Sequence, residues 1–307
     1  MKKQKAIITG GTGMIGIALI RCLLTNDIDV TVIVNPNSNR QSVLNQFNTI
    51  KIVQKDISHL KELGDVLPHD YTYFFHLAWM GTFGDSRNDM YLQTKNIEYT
   101  LDAVNLAKAL GCEVFLGTGS QAEYGPVKEK MSAETPTNPV TGYGIAKLCA
   151  NRMSRIYAQS LGLRHIWVRV LSVFGPYDGQ GTMVMSGLKN MLAGHEGKYT
   201  KGEQMWDYLY CEDAAQALYK AAKKGKDGKI YPLGSGEVKP LKEYIEIMRD
   251  NVDPNLSLDF GSVPYYPNQV MYMCADIEDL KKDTGFEPEH TFDEGIKKTI
   301  QWIKEGD

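Results

Sequence analysis

A doubly wound parallel α/β sheet is the fold class this sequence predicts, and two observations predict it. Short apolar runs alternate with longer amphipathic stretches through the first half of the chain, and a glycine triplet separates the first run from the first stretch. The runs KAIIT (5–9), DVTVIV (29–34), IKIV (50–53), YTYFFHLA (71–78), EVFLGT (113–118) and HIWVRVL (165–171) read as strands. Several are almost continuously apolar, as expected of parallel strands covered on both faces. Residues 13–25, 88–110 and 142–161 read as helices between them, which makes the units β-α-β with right-handed crossovers.

The pattern loosens after about residue 174. GPYDGQGT is a loop of turn formers, 182–193 a short helix, WDYLY (206–210) a strand and 212–224 a helix. KIYPLGSGE (229–237) carries a further strand, followed by a helix near 240–251. The last helix, 292–304, opens with TFDE, a threonine with a glutamate three positions on, which is a capping-box signature.

Composition narrows the function classes. Hydrophobic residues are 43% and charged residues 23% of the 307 positions, the balance of an ordinary globular chain and not of a disordered one. Basic residues number 34 against 37 acidic, a net charge of −3 that argues against a nucleic-acid surface. Cys22, Cys112, Cys149, Cys211 and Cys274 are scattered without a C-x-x-C, as expected of reduced thiols, and the histidines lack metal-ligand spacing, so no metal is expected. The start MKKQKAIITGGTG places lysines before apolar residues, but glycines interrupt after four of them, and no run reaches the ~20 apolar residues that cross a bilayer. A cytoplasmic protein without a membrane partner is expected.

Two motifs carry chemistry. ITGGTGMIG (8–16) sets Gly10, Gly13 and Gly16 between a strand and a helix, where the backbone can approach a pyrophosphate and the helix start offers free N–H groups. TGYGIAKLCANRM (141–153) puts Tyr143 and Lys147 on one helix face. A cation within a few ångströms pulls a phenol below its usual titration near ~10, so this tyrosine could pass a proton near neutrality. Alone, such a pair is as well explained by an aromatic packed on a lysine stem.

The T-G-x-x-G-x-x-G spacing resembles the short-chain dehydrogenase/reductase superfamily, specifically its extended branch of sugar-nucleotide epimerases, dehydratases and reductases. The resemblance runs on through KDI (55–57), HLAW (76–79), KNIEYT (95–100), GTGSQAEYG (117–125), RVLSVFGP (169–176), WDYLYCED (206–213) and YPLGSG (231–236). It implies a Rossmann-type NAD(P)-binding domain over 1–172 and a mainly substrate-binding subdomain over 173–307, with 206–236 returning to the sheet. It also implies a cofactor held by Gly10, Thr12, Gly13, Met14 and Ile15, by Asp56 and Ile57 at the adenine, by Leu77, Ala78 and Trp79, and by Asn96. Ser120, Tyr143 and Lys147 then form the catalytic set. Ser120 and Tyr143 bond the substrate carbonyl as hydride arrives, Tyr143 delivers the proton, and Lys147 holds the nicotinamide ribose while lowering the phenol's titration. Helices 88–110 and 142–161 would pair in a homodimer.

The second strand ends in VIVNPNSNR (32–40). Asn35 stands where an NAD-preferring protein usually carries an acid, and Ser38 and Arg40 follow within reach of a 2′-phosphate. This favours NADP(H), with NAD(H) as the alternative. The first expectation is therefore an NADPH-dependent reductase of a 4-keto(-6-deoxy) nucleotide sugar, and the second an NAD-dependent sugar-nucleotide 4-epimerase. A non-catalytic NADP-binding regulator is a third, weakened by the presence of both Tyr143 and Lys147. Dehydration is disfavoured because Gln121 and Ala122 follow the hydroxyl where dehydratases of the family carry acids, although Glu123 comes next. Departures from the family cluster on the substrate side: Ser172 replaces an asparagine, Trp206 an arginine, and VPYYPNQVMYMCAD (263–276) holds no arginine. Ser172, Trp206 and Arg87 are the candidate substrate contacts. Trp79, Met183 and Met185 either line the cleft or fill the core, and His76 is expected to be structural.

Overall fold

In the computed structural model, which describes residues 3–267 and 269–306, the chain forms thirteen strands and eight α-helices among those residues. The strands are β1 (Lys5–Thr9), β2 (Asp29–Val34), β3 (Lys51–Gln54), β4 (Tyr73–His76), β5 (Val114–Ser120), β6 (Arg164–Val170) and β7 (Ser172–Phe174), then β8 (Gly197–Tyr199), β9 (Met205–Trp206), β10 (Tyr208–Tyr210), β11 (Ile230–Leu233), β12 (Lys239–Pro240) and β13 (Leu258–Phe260). The helices are α1 (Met14–Thr25), α2 (Met90–Ala109), α3 (Gly142–Ser160), α4 (Met183–Leu192), α5 (Cys211–Lys224), α6 (Leu241–Val252), α7 (Glu278–Thr284) and α8 (Phe292–Glu305).

Seven strands form one parallel sheet in the order β11-β6-β5-β4-β1-β2-β3. Successive residues of one strand enter different cores. Ile8, Val32, Phe75 and Leu116 pack with Leu19 and Leu23 of α1 and Leu218 of α5. Ile7, Ile33, Phe74 and Phe115 pack with Ala103, Val104 and Leu106 of α2. Both faces are covered, which is why the strands lack hydrophobic–polar alternation.

From β1 the chain moves outward to β2 and β3 and then returns to the other side of β1 as β4. That reversal opens a crevice at the carboxyl ends of β1 and β4, the place where open α/β sheets bind ligands.

Two expectations change. WDYLY is not one strand: Asp207 interrupts it between β9 and β10, fully buried. Its carboxylate accepts from Ser235 N and Oγ at 2.7 Å, Gly236 N at 3.1 Å and Ala275 N at 3.0 Å, so it ties three segments together instead of continuing a ladder. Of the stretch 206–236, only β11 joins the large sheet, while β10 pairs with β7 and β9 with β12 in separate two-stranded sheets. The TFDE signature does cap α8: Thr291 Oγ1 accepts from Glu294 N, and Glu294 Oε2 accepts from Thr291 N at 2.8 Å. Among the described residues, no helix is long and apolar enough to cross a membrane.

Candidate active site

The site starts at the glycine turn. Gly10 has φ +79°, and a Cβ there would lie 2.7 Å from Ala78 N in the adjoining β4 loop. Only glycine fits both demands. Gly13 caps α1 without a side-chain bond, and no acidic residue occupies the first turn, so the helix start keeps its N–H groups and positive end for an anion.

Two adjoining cavities extend from this turn. One, of about 360 Å³, is lined by Gly10, Thr12, Asn35, Ser38, Ile57 and Ala78. The other, of about 340 Å³, is lined by Met14, Ile15, Ser120, Tyr143, Lys147 and Asp178. Both share Gly10, Gly13, Leu77, Trp79 and Thr82, and together they form a trough across the switch point. Its glycine cradle, helix N–H groups, hydroxyls and one amine are the donor set a dinucleotide needs, so the residues present fit such a cofactor. A larger cavity of about 500 Å³ lies near α7 and α8 and is lined by none of these residues.

Ser120 ends β5 and caps the short turn 121–123, its Oγ accepting from Ala122 N at 3.2 Å. Glu123 reciprocates by accepting from Ser120 N at 3.0 Å. The same carboxylate is fully buried and accepts from Trp167 Nε1 at 2.9 Å and Arg169 Nε at 2.8 Å. Glu123 therefore holds the serine in place from behind and does not line the trough.

Tyr143 sits in the first turn of α3, which Thr141 caps by accepting from Gly144 N at 3.1 Å. Burial pushes the phenol's titration up, and the Ser120 hydroxyl and the Arg87 guanidinium offset part of that rise. Arg87 lies 4.4 Å from the Tyr143 ring centroid. Lys147 Nζ donates to Thr118 O at 2.6 Å and lies 3.8 Å from the Trp79 ring centroid. Burial lowers its titration to about 7. The Lys147 amine is engaged by a carbonyl and an indole, and burial leaves the phenol raised on balance instead of lowered.

The other expected residues divide. Thr12, Asn35, Ser38, Ile57, Leu77, Ala78 and Trp79 line the trough. Asp56 does not; its carboxylate accepts from Asn35 Nδ2 at 2.6 Å and from Ser58 N at 2.9 Å, which caps the next turn. Arg40 lines the cavity of Ser120 and Tyr143 instead of the one at Asn35 and Ser38, because its Nη2 donates to Tyr177 O at 2.8 Å. Asn96 is buried away from the trough and clamps the following loop, accepting from Met80 N and donating to Met80 O, each at 2.9 Å.

Trp206 Nε1 donates to Ser172 Oγ at 2.8 Å, so these two are brought together, but neither lines the trough. Met185 is fully buried and Met183 packs against the same core. His76 is wedged between Thr9 and Thr100, and burial lowers its titration to about 3, which keeps it neutral. Sequence reasoning missed Tyr177, Asp178 and Gly179, which close one wall, and Thr82 and Phe83 on the other. The only signal for the first wall was a turn-rich stretch, and Tyr177 adopts a left-handed φ of +67° that no motif announces.

A glycine turn that feeds a half-buried hydroxyl, a buried phenol and a buried amine is the architecture of a nicotinamide-dependent enzyme of the extended short-chain dehydrogenase/reductase class. The model of the NAD dependent epimerase/dehydratase family matches residues 6–234, and the chain belongs to that family. It is 25% identical to dTDP-glucose 4,6-dehydratase 1 of Escherichia coli, over 97% of this chain and 92% of that protein. It superposes on UDP-N-acetylglucosamine 4-epimerase from Methanobrevibacter ruminantium with a TM-score of 0.89 at 23% identity, over 100% of both chains. It also superposes on UDP-glucuronic acid 4-epimerase from Bacillus cereus in complex with NAD, with a TM-score of 0.84 at 19% identity, over 98% of this chain and 99% of that one.

Proposed function

We propose that this enzyme moves a hydride between a nicotinamide dinucleotide and the C4 carbon of a nucleotide-linked sugar, without eliminating water. The observation that carries the reading is the convergence of Ser120, Tyr143 and Lys147 on one cavity that continues from the glycine turn. A nicotinamide bound there supplies or accepts the hydride. The Ser120 hydroxyl bonds the sugar oxygen, the Tyr143 phenol gives or takes its proton, and Lys147 holds the ribose. Eliminating water requires a further acid–base pair to move protons at neighbouring carbons. Gln121 and Ala122 bring no carboxyl, and Glu123 is sealed against Arg169.

Of the two outcomes open to such a site, the geometry favours a 4-epimerase that retains NAD(H). Arg40 is tied to Tyr177, and the Asp56 carboxylate sits beside Asn35, so the adenosine end is poorly equipped for a 2′-phosphate. The NADPH-dependent reductase of a 4-keto(-6-deoxy) nucleotide sugar is the second reading, supported by Asn35 and Ser38 at that same end. We further propose that α2 and α3 pair with their counterparts in a homodimer.

Release of nucleotide from the denatured protein, followed by assays with UDP- and dTDP-hexoses and their 4-keto forms, separates the readings. Bound NAD with interconversion of 4-epimers supports the epimerase. NADPH oxidation coupled to a 4-keto nucleotide sugar supports the reductase. Turnover undiminished in Tyr143→Phe would overturn both.

A further inference from the structure

The glycine turn shares its cavity with a cation. Arg40 follows β2, yet it lines the cavity that Gly13, Met14 and Ile15 form at the start of α1. Tyr177 holds it there, its carbonyl accepting from Arg40 Nη2 at 2.8 Å. We propose that Arg40 clamps the diphosphate of the bound dinucleotide, and that its bond to Tyr177 is a strap that slows the dinucleotide's release. The proposal rests on the hydride-transfer reading for the identity of the cofactor, and it moves Arg40 from the 2′-phosphate to the diphosphate.

A diphosphate carries more charge than the turn alone offsets. The start of α1 offers free N–H groups and a partial positive end, but its first turn holds no charged side chain. The cations that line this cavity are Arg40 and Lys147. Lys147 belongs with Tyr143, which leaves Arg40 for phosphate. Its bond to Tyr177 uses one edge of the guanidinium, and among the described residues no carboxylate pairs with the rest. Asp178 lies nearby; burial pushes its titration up and Arg40 draws part of that back, but its oxygens accept from Gly179 N and Thr182 Oγ1, each at 2.7 Å. A guanidinium with donors to spare can meet a carbonyl and phosphate oxygens together, as a single amine cannot.

The far end of the strap is anchored from three elements. Tyr177 Oη accepts from Gln46 Nε2 at 3.1 Å, and its ring centroid lies 4.8 Å from that of Trp302 on α8. The Arg21 guanidinium of α1 stands 5.9 Å from the same ring. These contacts hold Tyr177 at a φ of +67°, which a non-glycine residue adopts only under constraint. The carbonyl they fix in place is the one that Arg40 meets. The link therefore joins two walls of one cavity, the end of β2 and the loop after β7, and a dinucleotide seated there leaves when it breaks. Slow release suits an enzyme that hands its hydride back to the sugar, because the cofactor must stay through both halves of the cycle.

The test uses the full chain freed of nucleotide and reads binding alone. Affinities for adenosine, ADP-ribose, NADH and NADPH come from competition and nicotinamide fluorescence, and release rates from stopped-flow displacement of NADH. Arg40→Gln and Arg40→Ala should each weaken ADP-ribose and NADH by about tenfold, as expected for losing charge-assisted bonds to phosphate, and leave adenosine within about twofold. The loss should fall on the dissociation rate, with association changed by less than about threefold. Arg40→Lys should restore only part of it, because an amine keeps the charge without the fork. Tyr177→Phe, which frees the strap from Gln46, should speed NADH release while adenosine binds as before. ADP-ribose affinity within about twofold of the parent in both charge-removing variants overturns the clamp, and an unchanged NADH release rate overturns the strap. A loss confined to NADPH also overturns the clamp and returns Arg40 to the 2′-phosphate. Neither sugar nor turnover enters the measurement, so a chain that binds in this way yet moves no hydride would sink the hydride-transfer reading and leave the clamp standing.

Discussion

Lys147 illustrates what burial does to a single residue. Only 3% of its surface is exposed, and its titration falls from the usual lysine value to about 7 because desolvation disfavours the ammonium. The unfolded chain then binds one more proton than the native chain between about 7 and 10.5, so this group adds stability as pH rises through that window and withholds it below. Lys147→Met should flatten that rise. Urea midpoints measured from pH 7 to 10 should climb more steeply in the parent than in the variant, and parallel curves would refute the assignment. Glu123 and Arg169 form the opposite case, a fully buried ion pair in which the guanidinium also lies 4.4 Å from the Tyr124 ring centroid. Among the described residues, Arg169 Nη1 and Nη2 have no hydrogen-bond partner, so removing Glu123 leaves an uncompensated charge. Glu123→Gln should cost about 3–5 kcal/mol in chemical denaturation, and a Glu123→Leu/Arg169→Met double variant should recover much of it. At this scale the sequence was uneven. Ser120, Tyr143 and Lys147 stood in spaced motifs and do converge, whereas Arg40 and Asp56 are occupied by partners far along the chain or across a strand, which no local pattern encodes.

Elements were most legible where one physical cause acts along their whole length. Strands covered on both faces read as uninterrupted apolar runs, and β1 and β2 occupy the predicted residues. α1, α2 and α3 begin and end within about two residues of expectation, because their caps and apolar faces are local properties. The wall formed by Tyr177, Asp178 and Gly179 was not legible, since its shape depends on Arg40 reaching across from the end of β2 and on Trp302 of α8 packing 4.8 Å from the Tyr177 ring. The β1–α1 turn supplies the prediction that belongs to this scale. Gly10→Ala forces a side chain into a left-handed backbone and against Ala78 N, so either the turn or the β4 loop must move. Dinucleotide affinity, read by protein fluorescence quenching or calorimetry, should fall at least about tenfold, while circular dichroism stays near that of the parent; unchanged affinity would mean that the dinucleotide does not approach this turn.

For the molecule as a whole, the placement of the trough follows from strand order. A chain that builds outward from β1 and then returns as β4 must leave a crevice between their carboxyl ends, and the Ser120 hydroxyl and Tyr143 phenol reach it only because β5 and α3 follow on that side. The side of the sheet that carries α2 and α3 has a second consequence. Those helices pack on each other, yet their outer surfaces expose Met90 and Tyr91 on one and Ile145, Met153 and Ile156 on the other. Tyr91 is 87% and Ile156 69% exposed, and positions 145, 153 and 156 share a helix face. So many exposed large apolar side chains on two adjacent helices are unusual on a chain that functions alone. The proposed pairing covers them with the same surface of a second copy, in a self-complementary contact that closes on itself. Sedimentation at micromolar concentration should give twice the mass of one chain, and Ile145→Glu/Ile156→Glu should halve it, because each copy would then bury like charges against its partner. Since Tyr143 and Lys147 lie on the buried face of α3, the monomeric variant should keep its dinucleotide affinity within about threefold. A parent that sediments as a single chain would instead assign this surface to another partner.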